Sequence, residues 1–405
     1  MGLFTLSGSR FDGENEQMEP KWDLPQVVGV LSEIKPFERR VALTPQGVQR
    51  LTDDGRSVVV QVGAGLGSGF TDDQYVAAGA RLVPTAAEVF AAATLLLHVK
   101  EPQESEFELL QPHHTLFTYL HLAAEPRVAQ ALRASGARAI AYESVEIDRH
   151  FPLLAPMSAV AGRLATQLAA SFLEVRNGGR GMLLGGVAGV EPCTVLVVGA
   201  GVSGQNAAEV ATGMGARVII ADIDFERAQN VAKRCGPLAR AVQSATGVID
   251  QLVPECEVII GAVLSPGRRS PIVITRRTMA LMPEGSVIVD IAIDQGGCVE
   301  GGQPTSHSDP VRSMGKVRVS AIPNLPAAVP RTATAALTAA TLPYVRALAG
   351  GWSKAILIHP ELGGAVNIEA GKVVHPALRR ELTPNNETTQ ESSGPVVRTA
   401  FESVI

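Results

Sequence analysis

Long apolar runs are missing from this 405-residue chain: nowhere do about 18 apolar residues follow one another, so no membrane-spanning helix is expected. Cysteine is scarce. Cys193, Cys235, Cys256 and Cys298 are scattered, and no C-x-x-C pair exists. That argues against a cysteine-based zinc site and against a disulfide framework, and it fits reduced thiols in a cytoplasm. No metal site is expected. Aromatic residues make up only 4%. No long block of one charge occurs and the net charge is -5, which leaves neither nucleic acid nor an anionic membrane as an expected partner. The opening MGLFTLSGSRFDGENEQMEPKWDLPQ has no basic segment ahead of an apolar core, so no signal peptide is expected.

What is present suits a packed enzyme-sized protein. Apolar residues are 46% and charged residues 19%, and the length exceeds one ordinary core, which suggests two domains. From Val27 a rhythm begins. Strands are read at 27–32, 57–62, 95–99 and 137–142, with helices at 44–55, near 71–80 and 85–93, and across 124–135. The first of those helices opens on a Thr cap with Pro in its first turn. Strands that alternate with helices argue for βαβ units and a parallel sheet. Helical spacing over 157–176 then supplies a link to a second series, with strands at 194–198, 217–221, 257–261, 286–291 and 317–321. A last Ala/Leu-rich helix over 332–351 carries the chain back towards the first half. Residues 1–26 read as an extension and 383–405 as a flexible tail.

The sharpest motif is TVLVVGAGVSGQNAAEVATGMGARVIIADID (194–224). A Val-rich strand enters Gly199-x-Gly201-x-x-Gly204 and an Ala-rich helix follows. Gly199 permits the turn, Gly201 lets a pyrophosphate approach the backbone, and Gly204 lets the helix pack on the strand. The helix start offers N–H groups and a positive dipole to phosphates. Asp222 ends the next strand, at the offset expected of the acid that takes ribose hydroxyls. Such an acid repels a 2′-phosphate and favours NAD over NADP; Arg227 nearby pulls the other way.

A second set is scattered. Arg39 and Arg40 follow the first strand, Lys100 follows the strand in TLLLHVKEP, and His121 follows the apolar run in TLFTYLHLAAE. Taken singly, each has a bland reading: a solvated arginine, an exposed lysine, a satisfied histidine. Three basic groups at successive strand ends converge on one sheet edge, where α/β sheets bind ligands. In SVIVDIAIDQGGC (286–298) the apolar run from Val287 to Ile293, broken by Asp290, delivers Asp294 to its tip with two glycines behind it. Carboxylates are costly to bury without partners. If the two sheets face one another, Asp294 meets Arg40, Lys100 and His121 across a cleft that suits an anionic substrate.

Taken together, EIKPFERRVALTPQGV, HVKEP, LFTYLHLA, GGRGMLLGGVAGVEP, GAGVSGQNAA, VDIAIDQGGC and NLPAAVPRTAT resemble the alanine dehydrogenase family, related to the nucleotide-binding part of nicotinamide nucleotide transhydrogenase. The resemblance spans roughly 27–352, and LHLA with DQGG favours the dehydrogenase branch. It implies an α/β fold of two Rossmann-like domains with parallel sheets, linked by long helices around a cleft. The substrate domain would be discontinuous, 27–154 with 328–382, and the NAD domain would be 155–327. The implied reaction is reversible oxidative deamination of L-alanine to pyruvate, ammonium and NADH, in a cytoplasmic hexamer. Arg40, Lys100, His121 and Asn324 would bind substrate, with His121, Lys100 and Asp294 catalytic. Cofactor contacts would come from Ser158, Gly199, Gly201, Val202, Ser203, Gly204, Asp222, Arg227, Ser244, Val263, Leu264 and Asn324. The chain departs from the family pattern at Leu325 and Ala333, and Pro323 stiffens the loop before Asn324. Two other readings stay open: a relative acting on another small amino or keto acid, and a non-catalytic nucleotide-binding module.

Overall fold

The computed structural model describes residues 23, 25–245, 247–263 and 269–382. Most of the N-terminal extension, the tail 383–405 and Leu264 lie outside them.

The strands of the described residues form two sheets. The first contains β1 (Val28–Val30), β2 (Val58–Gln61), β3 (Arg81–Val83), β4 (Leu95–Leu97), β5 (Thr115–Thr118) and β6 (Arg138–Ala141). The second contains β7 (Thr194–Val198), β8 (Arg217–Asp222), β9 (Ala239–Gln243), β10 (Val258–Gly261), β11 (Val287–Asp290), β12 (Arg312–Met314) and β13 (Val317–Ser320). Late in the chain, β14 (Val366–Glu369) and β15 (Lys372–Val373) return to the first sheet. The orders are β15-β14-β6-β5-β4-β1-β2-β3 and β12-β13-β11-β10-β7-β8-β9. Within them, β3-β2-β1-β4-β5-β6 and β9-β8-β7-β10-β11-β13 are one pattern used twice, parallel throughout. In each, the order in which strands are added reverses between the first and fourth strands, which is where open α/β sheets bind ligands. Antiparallel β12, β14 and β15 finish the edges.

Continuous Val/Ile/Leu runs make these strands because both faces of a parallel sheet are covered. Strands β1, β4, β7, β10 and β11 are buried at every position. The helix expected at 44–55 is Pro45–Asp53, capped by Thr44, whose hydroxyl accepts from the Gly47 N–H at 3.2 Å. Thr71 and Thr85 begin the next two helices through capping boxes with Gln74 and Glu88.

The link helix is Ala155–Phe172, and it packs on the helix Val202–Gly213 that follows the glycine loop. Gly162 permits that crossing: a Cβ there would stand 2.1 Å from the Ser203 carbonyl oxygen. Gly162→Ala is therefore expected to destabilise the protein by about 1–3 kcal/mol through overpacking, read as a lower denaturation midpoint; an unchanged midpoint would show that the crossing tolerates a methyl group.

One expected strand is shorter than its apolar run. β11 stops at Asp290, and Ile291–Gln295 wind into a 3-10 turn. The cause is Asp290 itself. Its buried carboxylate accepts from the Ala292 and Cys298 N–H groups, both at 2.9 Å, and this bends the chain out of the sheet. Asp294 thus sits on the turn beyond the strand, and it is exposed.

Candidate active site

The loop after β1 carries Arg40, the turn after β4 carries Lys100, and the turn after β5 carries His121. Arg40 is 2% exposed, so it is not a solvated surface arginine. Its Nε donates to Glu38 Oε1 at 2.7 Å and its Nη2 to Asn324 Oδ1 at 2.6 Å. Burial works against its charge, but the hydrogen bonds and charge of Glu38 outweigh it, and the Arg40 pKa rises. The same pairing, against the opposing effect of burial, brings Glu38 down to about 2.

Lys100 is 8% exposed, and its ammonium has no hydrogen-bond or ion-pair partner among the described residues. Burial lowers its pKa; the charge of Asp294 opposes that shift and Arg40 reinforces it. Asp294 also acts on Lys35, which pairs with Glu101. The backbone of Lys100 is fixed by Glu33, which accepts from the Val99 N–H at 2.6 Å and the Lys100 N–H at 3.1 Å.

His121 has a left-handed backbone, φ 47°, which a residue with a Cβ adopts only when its surroundings hold it there. Glu143 supplies that hold by accepting from the His121 N–H at 2.7 Å, and Tyr119 stacks on the ring with centroids 5.9 Å apart. Burial, then the charges of Lys100, Lys35 and Arg40, push the imidazole pKa well below its usual value, so His121 is neutral at pH 7. The ring keeps 38% of its surface open, which weakens the effect of burial but leaves its sign and the three cations in place.

Asn324, after β13, joins the two sides. Its N–H donates to Asp294 Oδ1 at 3.0 Å, its Nδ2 donates to Glu38 Oε2 at 2.9 Å, and its Oδ1 accepts from Arg40. Its φ of 54° is left-handed, a region asparagine tolerates better than most residues. Asn324 thus bonds both Arg40 and Asp294, the charges of those two reach Lys100, and the charges of Lys100 and Arg40 reach His121. Leu325 and Ala333 instead face apolar packing: Leu325 sits with Ala161 and Ile322, and Ala333 in the core of the first sheet.

The glycine loop follows β7. Gly199 has φ 103°, and a Cβ there would meet the Ala262 carbonyl oxygen at 2.4 Å. Among the described residues Gly201 has nothing within 4 Å of where its Cβ would lie. No atom of the described residues demands glycine there, so the open space fits the close approach of a dinucleotide pyrophosphate. Gly204 is buried, while Val202 and Ser203 open the following helix. Asp222 accepts from the Ala200 N–H at 2.6 Å and the Asp224 N–H at 2.8 Å, so the acid also braces the loop. Val263 follows β10 beside Gly199, and the Ser244 N–H donates to the Asp222 carbonyl oxygen. Ser158 stands one helical turn before Gly162, on the helix side turned to Ser203. Arg227 is exposed, 3.8 Å from Asp224, in a surface depression of about 340 Å³ that also takes in Ala200, Gln205 and Arg234. None of Arg40, Lys100, His121 and Asp294 lines that depression.

Glu38, Glu33, Glu143 and Met157 touch these groups but did not stand out in the sequence. Glu38, adjacent to Arg39-Arg40, carried the only local signal, and an acid beside two arginines has many uses.

The sequence profile of the Alanine dehydrogenase/PNT N-terminal domain matches residues 29–161, and that of the C-terminal domain matches 165–376. Alanine dehydrogenase of Mycolicibacterium smegmatis is 46% identical over 358 residues, 88% of this chain and 96% of that protein. Alanine dehydrogenase of Bacillus subtilis is 43% identical over 373 residues, 91% and 98%. Among solved structures, an L-alanine dehydrogenase superposes with a TM-score of 0.84 at 46% identity, covering 87% of this chain and 98% of that one. A transhydrogenase from Sinorhizobium meliloti reaches 0.73 at 27% identity over 87% and 99%. With both domain profiles matched and close relatives aligned over most of its length, the chain belongs to the alanine dehydrogenase/PNT family.

Proposed function

We propose that the chain catalyses the reaction its relatives are named for, the reversible oxidative deamination of L-alanine, and that NAD is its cofactor. It is an oxidoreductase acting on the CH–NH2 bond. The balanced reaction takes L-alanine, water and NAD⁺ to pyruvate, ammonium, NADH and a proton. Gly199 to Gly204 would hold the pyrophosphate, and Asp222 the adenosine ribose. Held there, the dinucleotide supplies hydride acceptance and donation, which no side chain of the site has.

The observation that carries this reading is Lys100: a nearly covered lysine whose ammonium has no oxygen to pair with among the described residues, within the electrostatic reach of Arg40 and Asp294. Such a group is poised to receive an anion. Arg40 and Lys100 take the substrate carboxylate. Neutral His121 hydrogen-bonds the keto oxygen or the hydroxyl formed when water adds. Exposed Asp294, held by the Asn324 N–H, takes the proton of that water. Fixing Cα against the cofactor is mainly a matter of positioning. The greater likeness to the dehydrogenase than to the transhydrogenase supports catalysis over a binding-only module. Hexameric assembly and a cytoplasmic location belong to the same proposal.

A panel assay tests it: NADH formation with alanine, serine, glycine, 2-aminobutyrate and larger amino acids. Alanine should give the highest kcat/KM. A flat response would reassign the substrate, and NADH binding without any turnover would favour the binding module. The cofactor choice has its own test. Asp222→Ala should lower NAD affinity and reduce the NAD to NADP preference in kcat/KM by at least about tenfold, the worth of one lost charge–charge or hydrogen-bond contrast. An unchanged preference would remove Asp222 from that role.

A further inference from the structure

We propose that Glu38 is a positioning residue for the substrate carboxylate. It occupies the Nε–Nη2 fork of Arg40 and, through Asn324, ties that guanidinium to the turn carrying Asp294, leaving the Nη1 end for substrate. The inference rests on the reading that Arg40 binds the substrate carboxylate.

The geometry is an accounting of donors. An arginine has five N–H hydrogens in a rigid fork. Here the Nε hydrogen goes to Glu38 Oε1, one Nη2 hydrogen to Glu38 Oε2 at 2.5 Å, and the other to Asn324 Oδ1 at 2.6 Å. Among the described residues Nη1 meets only the Met157 thioether, at 3.0 Å, a weak acceptor. An incoming carboxylate therefore cannot use the fork arrangement common to Arg–carboxylate pairs without evicting Glu38. It must take Nη1 end-on and find its second grip at Lys100.

Glu38 is built to stay. Its side chain is wholly covered, and Oε1 also accepts from the Arg39 and Arg40 N–H groups at 3.1 and 3.0 Å. The residue before it, Phe37, has φ 65°, a backbone a phenylalanine adopts only under constraint. That turn directs the carboxylate inward. On the other side, Asn324 donates its amide to Glu38 and its backbone N–H to Asp294. One residue thus registers the carboxylate-binding group of one sheet against the acid of the other. The benefit is pre-organisation: an Arg40 already fixed loses little freedom when substrate arrives, and this acts on binding more than on the chemical step.

The experiment uses the full-length enzyme in the aminating direction and measures KM for pyruvate, kcat, the NADH dissociation constant and the denaturation midpoint. Arg40→Met comes first. If it leaves KM for pyruvate unchanged, the reading of Arg40 is wrong and the inference falls with it. If KM rises, Glu38 decides. Glu38→Gln should raise KM by about tenfold or more, with kcat within about threefold and NADH affinity unchanged, the signature of lost binding uniform in ground and transition states. Should Glu38→Gln fail to fold because Arg40 is left buried without a counter-charge, Glu38→Asp replaces it. That variant keeps the charge but is too short to span both Arg40 nitrogens and Asn324, and an intermediate rise in KM is expected. A folded Glu38 variant with wild-type KM overturns the proposal while leaving Arg40's role standing. So does a loss confined to kcat or to NADH affinity, which would mark a general structural role.

Discussion

Asp294→Asn is expected to lower turnover in both directions by about 10²–10⁴-fold, the usual worth of a positioned acid–base group, while NADH binding stays nearly intact. The prediction follows from how lightly the protein uses this side chain. Among the described residues its oxygens accept only from the Asn324 N–H, at 3.0 and 3.3 Å, and the residue is exposed. Asparagine keeps an oxygen for that N–H and nearly the same shape, so the turn and Asn324 should hold their places. What is lost is proton acceptance and one negative charge opposite Lys100. Steady-state kinetics with alanine and with pyruvate plus ammonium, together with a fluorescence titration of NADH, separates the effects. An active variant would refute the assignment of Asp294 as base.

Lys100→Met should do something less usual: impair catalysis and stabilise the fold. On the proposed reading, the ammonium grips the substrate carboxylate. Removing one member of a desolvated charge pair costs about 2–5 kcal/mol, so kcat/KM for pyruvate should fall by at least roughly thirtyfold. The stability change has the opposite sign. Burial lowers the folded pKa of Lys100, so a lysine in the unfolded chain, near pKa 10.4, holds its proton more firmly. Between the lowered value and about 10.4 the unfolded state binds more protons, and stability rises with pH through that window. Below it, the buried ammonium is a constant liability that methionine lacks. The variant should therefore unfold at higher denaturant than wild type at neutral pH, with the difference shrinking as pH approaches that of free lysine. Activity should show the counterpart: wild-type pyruvate affinity declines on the alkaline side as Lys100 loses its proton, earlier than an ordinary lysine would, and the variant lacks that limb. A variant both less active and less stable at neutral pH would show Lys100 to be a packing residue.

Such a trade between stability and function is expected where a site keeps a charge covered for a ligand. His121 follows the same logic through its backbone. Its left-handed φ is a local cost, held in place by Glu143, and the result is a neutral, partly open ring within the electrostatic reach of Lys100, Lys35 and Arg40. In the sequence, His121 was distinguishable only as the end of an apolar run; nothing there disclosed the φ or the partner.

Glu38 shows the limit more sharply. It lies next to Arg39 and Arg40, yet the contact that gives it meaning is with Asn324, 286 residues away. Asp290 and Asp294 show another. Both sit in one apolar run, and only the capping bonds of Asp290 decide that the strand stops there and that Asp294 belongs to a turn.

What the sequence determined unaided was local: apolar runs that become strands, Thr caps and a first-turn proline that begin helices, and a glycine loop with an acid at the next strand end. These follow from propensity, period and backbone sterics, which act over a few residues. Which groups meet was decided by tertiary structure. Two sheets wound in the same strand order meet where Asn324 bonds both Arg40 and Asp294, and only there do the charges of Asp294 and Arg40 reach Lys100 and that of Lys100 reach His121. The physical reason is range: hydrogen bonds and charges act over a few ångströms, and only the packing of strands far apart in sequence brings these side chains that close.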